Sequence, residues 1–103
     1  MSTPTINRDA SGRLAVDVFD IPMEMYPSLC NQIAFEFGLI HDGKLITNSA
    51  DVAFMNFRSD HGTVEMAWDN WSGFIVTAKS PESEPLIRRI SDWLVDRNAS
   101  AEK

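Results

Sequence analysis

The segment WDNWSG, residues 68–73, places two tryptophans three positions apart with an aspartate and an asparagine between them. Large rigid aromatic rings with polar neighbours dominate the binding energy at many protein interfaces. The same composition suits a tight turn, because Asp, Asn and Gly tolerate the backbone angles that turns require. The segment is therefore either a recognition site or a hairpin turn whose rings only anchor the hairpin.

The two rings of this segment are expected to have different environments. Val64, Met66 and Trp68 alternate with polar or small residues, as the inward side chains of a β-strand do. Trp71 lies outside this alternation, within the polar loop. We therefore predict that Trp68 is packed in the core and that Trp71 is exposed. The residues predicted to contact a partner are Trp71, Asp69, Asn70, Asp60 and Glu65.

Two histidines, His41 and His61, each lie next to an aspartate. A histidine oriented by a carboxylate acts as a general base or a metal ligand in many enzymes. Neighbouring side chains on an extended chain point apart, however, and both pairs lie in segments with turn composition. A metal site would require loops 41–43 and 59–62 to meet and to include a carboxylate. The alternative function is therefore a small-ligand or metal-binding protein, or an enzyme, that uses His41, His61 and nearby carboxylates.

The single cysteine, Cys30, lies on the apolar stripe of a predicted helix. A cysteine in such a position packs as a small hydrophobic residue and is chemically inert. The sequence contains no glycine-rich phosphate loop, no Gly-x-Ser-x-Gly motif and no His-Glu-x-x-His motif. We therefore predict no catalytic residue, no metal ligand and no cofactor, and we expect a non-catalytic protein.

The chain is acidic, with 15 Asp and Glu residues against nine Lys and Arg residues and a formal net charge of −6. A negative field repels nucleic-acid phosphates and anionic lipids, and it attracts cationic partners. No apolar run is long enough to span a membrane, and the first 13 residues have no apolar stretch of the kind found in signal peptides. We therefore predict a cytoplasmic protein with a basic protein partner that binds neither nucleic acid nor membranes.

Two amphipathic helices are expected. Apolar residues recur at helical spacing over residues 26–37, and Pro27 suits the first turn of this helix. Gly38 is expected to end it, because glycine readily adopts the left-handed backbone conformation found after many helices. A second apolar stripe follows residues 80–85, where serines and prolines can begin a helix.

Alternating or strongly apolar patterns predict strands over residues 13–20, 51–58, 63–68 and 74–79, with a further short strand at 44–47. Short turns join the last three long strands, so these form an antiparallel meander. The order of elements is then β-α-(β)-β-β-β-α. It predicts an α+β fold, a two-layer sandwich with an antiparallel sheet of about four strands and two helices over one face.

The predicted domain covers residues 13–97, between a mobile lead-in at 1–12 and a frayed tail at 98–103. Two helices can cover only one face of the sheet well, so the second face needs another cover. The residues predicted on that second face are Met55, Phe57, Phe19 and Ile75. A homodimer in which this face meets a copy of itself would cover them.

In size, charge and order of elements, the chain over residues 13–97 resembles small acidic α+β proteins of bacteria. This group contains uncharacterised proteins as well as immunity proteins that neutralise a basic toxin. The resemblance rests on no residue motif beyond the loose WDNWSG hairpin and assigns no functional residue. It implies a non-catalytic acidic module that binds and restrains a basic partner, such as a toxin or an enzyme.

Overall fold

The structure is a computed structural model that describes residues 3–44, 46–48 and 52–101, with only the backbone described for 46–48 and 98–101. The described part contains seven strand segments, two α-helices and two short 3-10 helices. The strands are β1 (Thr5–Arg8), β2 (Leu14–Val18), β3 (Ile40–His41), β4 (Ile46–Asn48), β5 (Val52–Ser59), β6 (Gly62–Asp69) and β7 (Gly73–Ala78). The α-helices are α1 (Tyr26–Phe37) and α2 (Glu84–Ala101), and the 3-10 helices, Met23–Met25 and Pro81–Ser83, precede them.

All the strand segments belong to one antiparallel sheet with the order β1-β2-β7-β6-β5-β3. The segment β4 also pairs with β5, on the same edge as β3, so the sheet has six strand positions. The predicted α+β class, with one antiparallel sheet and two helices, is confirmed. The predicted number of about four strands is wrong, because β1 and β3 add an edge position on each side.

These edge strands left no recognisable pattern in the sequence. The four residues of β1 are all exposed and β3 has only two residues, so neither shows the alternation of a half-buried strand. The segment 1–12, predicted to be a lead-in, contains β1 and its antiparallel pairing with β2. The sheet therefore extends beyond the predicted start of the domain at residue 13.

The helices cover one face of the sheet, and a single core lies between the two layers. Val64, Met66 and Trp68 point into this core, as the alternation of β6 predicts. Met55 and Phe57 lie directly opposite Met66 and Val64 on β5 and are also buried there. The prediction that Met55 and Phe57 lie on the second face is therefore wrong.

The error has a simple origin in the composition of β5. This strand is apolar on both sides, since Val52 and Phe54 alternate with Ala53, Met55 and Phe57. Alternation separates the two sets but does not say which one faces the helices. The pairing with β6 decides it, and Val52 and Phe54 lie on the face without helices.

The first helix begins and ends where the sequence predicts. Pro27 lies in the first turn of α1, and Gly38 follows the helix with a φ of 65°. The backbone N–H of Leu39 donates to the carbonyl of Ala34 at 2.8 Å, and the Leu39 side chain is buried. The hydroxyl of Tyr26, at the start of α1, donates to the Met66 carbonyl at 2.6 Å and joins the helix to the middle of the sheet.

Candidate interaction surface at one end of the sheet

The two tryptophans of WDNWSG have opposite environments. Trp68 is buried, with 7% of its surface exposed, and its indole nitrogen donates to the Ile21 carbonyl at 2.6 Å. Trp71 is 80% exposed in the loop between β6 and β7. Both predictions about these rings are confirmed. The loop therefore presents one large aromatic ring to solvent while the other anchors it to the core.

The conformation of this loop is held by the side chain of Asp69. Its Oδ1 atom accepts hydrogen bonds from the backbone N–H groups of Trp71, at 2.9 Å, and of Ser72, at 2.5 Å. An aspartate that caps the following backbone in this way stabilises a tight turn. Trp71 is therefore exposed on an ordered loop, and Asp69 contributes to the order of that loop in addition to its charge.

The end of β2 packs directly against this loop. Val18 pairs with Phe74 at the start of β7, and Gly73 precedes that pair with a φ of 75°. A Cβ atom at Gly73 would lie 2.5 Å from the carbonyl oxygens of both Val18 and Phe19. The backbone of Phe19 therefore lies against the base of the Trp71 loop.

This packing gathers exposed apolar side chains at one end of the sheet. Phe19 is 72% exposed and follows β2, while Met25 is exposed in the 3-10 helix that comes next. The hydrogen bond from Trp68 to Ile21 holds this connection beside the end of β6. We call the set Phe19, Met25 and Trp71, with the acidic residues described next, the aromatic end of the sheet.

The aromatic end is acidic. Asp17, Asp20, Glu24 and Asp69 lie in the segments that form it, and neither residues 14–43 nor residues 59–78 contain a lysine or an arginine. Lysine or arginine side chains in these segments would offset the acidic charges, and the sequence has none there. These segments therefore combine exposed rings with an excess of acidic side chains, which favours a cationic partner.

The structure brings together only part of the predicted contact set. Asp69, Asn70 and Trp71 share the β6–β7 loop, and Asn70 is exposed there. Glu65 lies in the middle of β6, where its Oε2 atom is 3.5 Å from Lys79 Nζ. Asp60 lies in the β5–β6 hairpin, at the opposite end of β6 from the Trp71 loop. Seven residues of β-strand span about 23 Å, so Asp60 is far from that loop. Glu65 and Asp60 therefore belong to other parts of the surface.

Two residues of the aromatic end were missed by sequence reasoning about the contact set. Phe19 continues the alternation of β2 and was therefore placed on the second sheet face, whereas it lies in the turn that follows the strand. Met25 precedes the residues predicted to form α1 and was assigned no role. A hydrophobic residue immediately after a strand, next to acidic residues, is the signal that could have identified Phe19.

The two histidines contribute separately to the structure. His41 lies in edge strand β3 with its ring packed edge-on against Phe57, with the ring centroids 4.7 Å apart. His61 lies in the β5–β6 hairpin, where its backbone N–H donates to Ser59 Oγ at 3.0 Å. Within residues 3–44, 46–48 and 52–101, no three His, Cys, Asp or Glu side chains are grouped so that they could hold a metal ion.

Cys30 is fully buried on α1, as its place on the apolar stripe predicts. Burial raises the pKa of its thiol to about 12, because the apolar surroundings disfavour the charged thiolate. A thiol that stays protonated is a poor nucleophile and a poor metal ligand. The packing role predicted for Cys30 agrees with this environment.

The chain matches no protein-family model, no curated protein and no solved structure in the comparisons made. In the described part of the chain, neither helix is both long and apolar enough to cross a membrane. The surface chemistry of the chain is therefore the basis for proposing its function.

Proposed function

We propose that the protein is a non-catalytic interaction module that binds a basic protein partner, such as a toxin or an enzyme that it restrains, through the aromatic end of the sheet. The observation that carries the proposal is the exposure of Trp71, which is 80% accessible on an ordered loop. Exposing a ring of this size to water is unfavourable, so its contact with a partner would stabilise the complex.

The order of the Trp71 loop supports the same proposal. Side chains and loops that become fixed on binding reduce affinity, because their conformational entropy is lost. The two hydrogen bonds to Asp69 fix the loop before any partner arrives. Trp71 could therefore act as a preformed anchor for a pocket on the partner.

The charge of the aromatic end indicates the chemistry of the partner. Acidic residues beside the exposed rings would speed encounter with a positively charged surface and would disfavour acidic partners. Attraction of this kind acts mainly on the association rate and weakens as salt is added. The expected partner is a protein with a basic surface that surrounds an apolar pocket.

Affinity capture with matched variants tests this proposal. The wild-type chain, Trp71→Ala and Phe35→Ala would each be immobilised and exposed to lysate of the native host, with bound proteins identified by mass spectrometry. Phe35 is the matched control, since it is 91% exposed but lies on the outer side of α1. We expect a basic protein that the wild type and Phe35→Ala retain and that Trp71→Ala loses.

The purified candidate partner would then be titrated against the same three chains. We expect Trp71→Ala to weaken binding by at least about 30-fold, which corresponds to the ~2 kcal/mol of a dominant contact residue. Added salt should lower the association rate. If Trp71→Ala binds every captured basic protein as tightly as the wild type, the aromatic end is not the binding surface.

A further inference from the structure

The exposed ring of Trp71 follows closely after the carboxylate of Asp69, the last residue of β6. We propose that these two side chains together bind the guanidinium group of an arginine on the partner. The ring stacks on the guanidinium face, and Asp69 accepts its N–H groups. This inference rests on the proposed function and deepens it, because it names the chemical group that the aromatic end takes from its basic partner.

The ring of Trp71 differs from the other two tryptophan rings of the chain. Trp68 donates from its indole nitrogen to the Ile21 carbonyl. The ring of Trp93 lies under a guanidinium, with 5.6 Å between the Arg97 Cζ atom and the ring centroid. Among the residues that the structure describes, none places a ring or a cation on Trp71. The face of this ring is therefore open to a group from another molecule.

Arginine is the side chain that this fold already places over its aromatic rings. Arg97 covers Trp93, and the Arg89 Cζ atom lies 5.4 Å from the ring centroid of Phe37. Both distances are within the ~6 Å over which a cation is attracted to an aromatic face. Tryptophan gives the strongest attraction of this kind. An exposed tryptophan face is therefore a favourable surface for an arginine from a partner.

Asp69 supplies the carboxylate of the site. Its Oδ1 atom accepts from the Trp71 backbone N–H at 2.9 Å, which places this oxygen within about 4.4 Å of the Trp71 Cα atom. In the described part of the chain, the hydrogen bonds to this carboxylate all use Oδ1. Oδ1 therefore holds the loop in place, and Oδ2 is left to accept hydrogen bonds from a ligand.

The charge of Asp69 is not balanced by a cation of the fold. No ion pair within the described residues includes it. Gly73 lies opposite Asp69 on β7, and Lys79 follows six residues later, about 20 Å away along an extended chain. Lys79 also lies 3.5 Å from a carboxylate oxygen of Glu65. A cation from a partner would therefore meet an unpaired carboxylate beside the exposed ring.

This combination favours arginine over lysine. A guanidinium is planar, so it can lie on the ring while its in-plane N–H groups donate to a carboxylate. An ammonium is a compact and strongly hydrated charge that cannot stack in this way. An arginine at the rim of the partner's apolar pocket would cover the open face of Trp71 and pair with Asp69.

Peptide titrations followed by nuclear magnetic resonance test this inference in the absence of the partner. The probes are short glycine-rich peptides with arginine, lysine or citrulline at the same positions, since citrulline is an uncharged analogue of arginine. The indole N–H signal of Trp71, assigned with Trp71→Phe, reports binding at this ring. We expect the arginine peptide to shift the signal saturably and the lysine peptide to bind several-fold more weakly. The citrulline peptide should bind at least about tenfold more weakly.

Two variants with the same net charge test the role of Asp69. Asp69→Asn removes the charge but keeps Oδ1 as the acceptor for the loop N–H groups. Asp60→Asn is the matched control, because it removes the same charge from an exposed position in the opposite hairpin. We expect Asp69→Asn to weaken binding of the arginine peptide about tenfold and Asp60→Asn less than about twofold.

Three results would overturn the arginine site. They are no saturable shift with the arginine peptide, equal binding of the citrulline or lysine peptide, and equal binding by Asp69→Asn and Asp60→Asn. The peptide comparison does not depend on any variant that must fold.

The captured protein partner separates failure of the arginine site from failure of the proposed function. A partner that requires Trp71 but binds Asp69→Asn as tightly as Asp60→Asn leaves the aromatic end as the interface and overturns the arginine site. A partner that binds Trp71→Ala as tightly as the wild type contradicts the proposed function itself.

Discussion

The indole nitrogen of Trp68 donates a hydrogen bond to the backbone carbonyl of Ile21 at 2.6 Å, across 47 positions of sequence. Trp68 is the next-to-last residue of the central strand β6, and Ile21 lies in the connection between β2 and α1. The bond therefore fixes the segment that carries Phe19 and Met25 beside the loop that carries Trp71. The buried ring of WDNWSG positions the surface on which the exposed ring lies.

Trp68→Phe should destabilise the fold. The substitution leaves the Ile21 carbonyl without its buried donor, and an unsatisfied buried group costs about 1–3 kcal/mol. Urea unfolding of the variant and the wild type measures the difference. Trp71→Phe serves as the control, since an exposed ring should change the free energy of unfolding by less than about 0.5 kcal/mol. Equal effects of the two substitutions would contradict the anchoring role of Trp68.

Gly73→Ala should cost more stability than Gly12→Ala. Both glycines have positive φ, so alanine is strained at either position by about 1 kcal/mol or more. At Gly73 the new Cβ would also overlap the Val18 and Phe19 carbonyls, whereas Gly12 has open space. We expect a loss of at least about 2 kcal/mol for Gly73→Ala in thermal or urea unfolding. Similar losses for both variants would show that the close approach of the Val18 and Phe19 carbonyls to Gly73 does not affect stability.

Trp71 should dominate the solvent-accessible fluorescence of the protein. It is 80% exposed, whereas Trp68 is buried and Trp93 is partly buried against α1. Trp71→Phe is expected to shift the emission maximum to shorter wavelength and to reduce quenching by acrylamide. Trp93→Phe should leave most of the quenching in place. If quenching is unchanged in Trp71→Phe, the ring is not free in solution.

Cys30 should react with a thiol reagent only when the protein unfolds. The side chain is fully buried, and burial raises its pKa to about 12, so little thiolate forms near neutral pH. We expect no labelling by an aromatic disulfide reagent in native buffer and rapid labelling in urea. Labelling of the native protein at the rate of a free thiol would show that α1 opens readily.

The same thiol should make stability fall at high pH. The pKa of Cys30 is raised from 9.0 in its reference state to about 12 in the fold, so the unfolded chain loses this proton first. Above pH 9 the folded state therefore binds more protons than the unfolded state, and the free energy of unfolding decreases as pH rises towards 12. Burial also raises the pKa of Tyr26, which adds to the decrease.

Cys30→Ala is the variant for this measurement. It removes one of the two groups, so its free energy of unfolding should fall less steeply with pH, even though the lost side chain lowers stability overall. Urea unfolding at several pH values between 8 and 11 gives both slopes, taken at about one-unit steps. Parallel slopes for the wild type and Cys30→Ala would contradict a large difference in thiol pKa between the two states.

Long regular elements of the fold could be predicted, because their signals lie in neighbouring residues. The apolar spacing of α1 and the glycine after it were sufficient to predict this helix and its end. The alternation of β6 and the turn residues that follow were likewise sufficient to predict this strand. The edge strands β1 and β3 were missed, since pairing with a neighbour creates them and no burial pattern marks them. The face of β5 was assigned wrongly because both of its sides are apolar.

The sequence by itself determined that Trp68 is packed and Trp71 is exposed, because period-two alternation along one strand is a local property. Only the tertiary structure decided which residues accompany Trp71. It placed Phe19 and Met25 at the same end of the sheet and left Asp60 at the opposite end. The physical reason is that strand pairing, such as Val18 with Phe74, joins segments far apart in sequence, and no local pattern specifies that pairing.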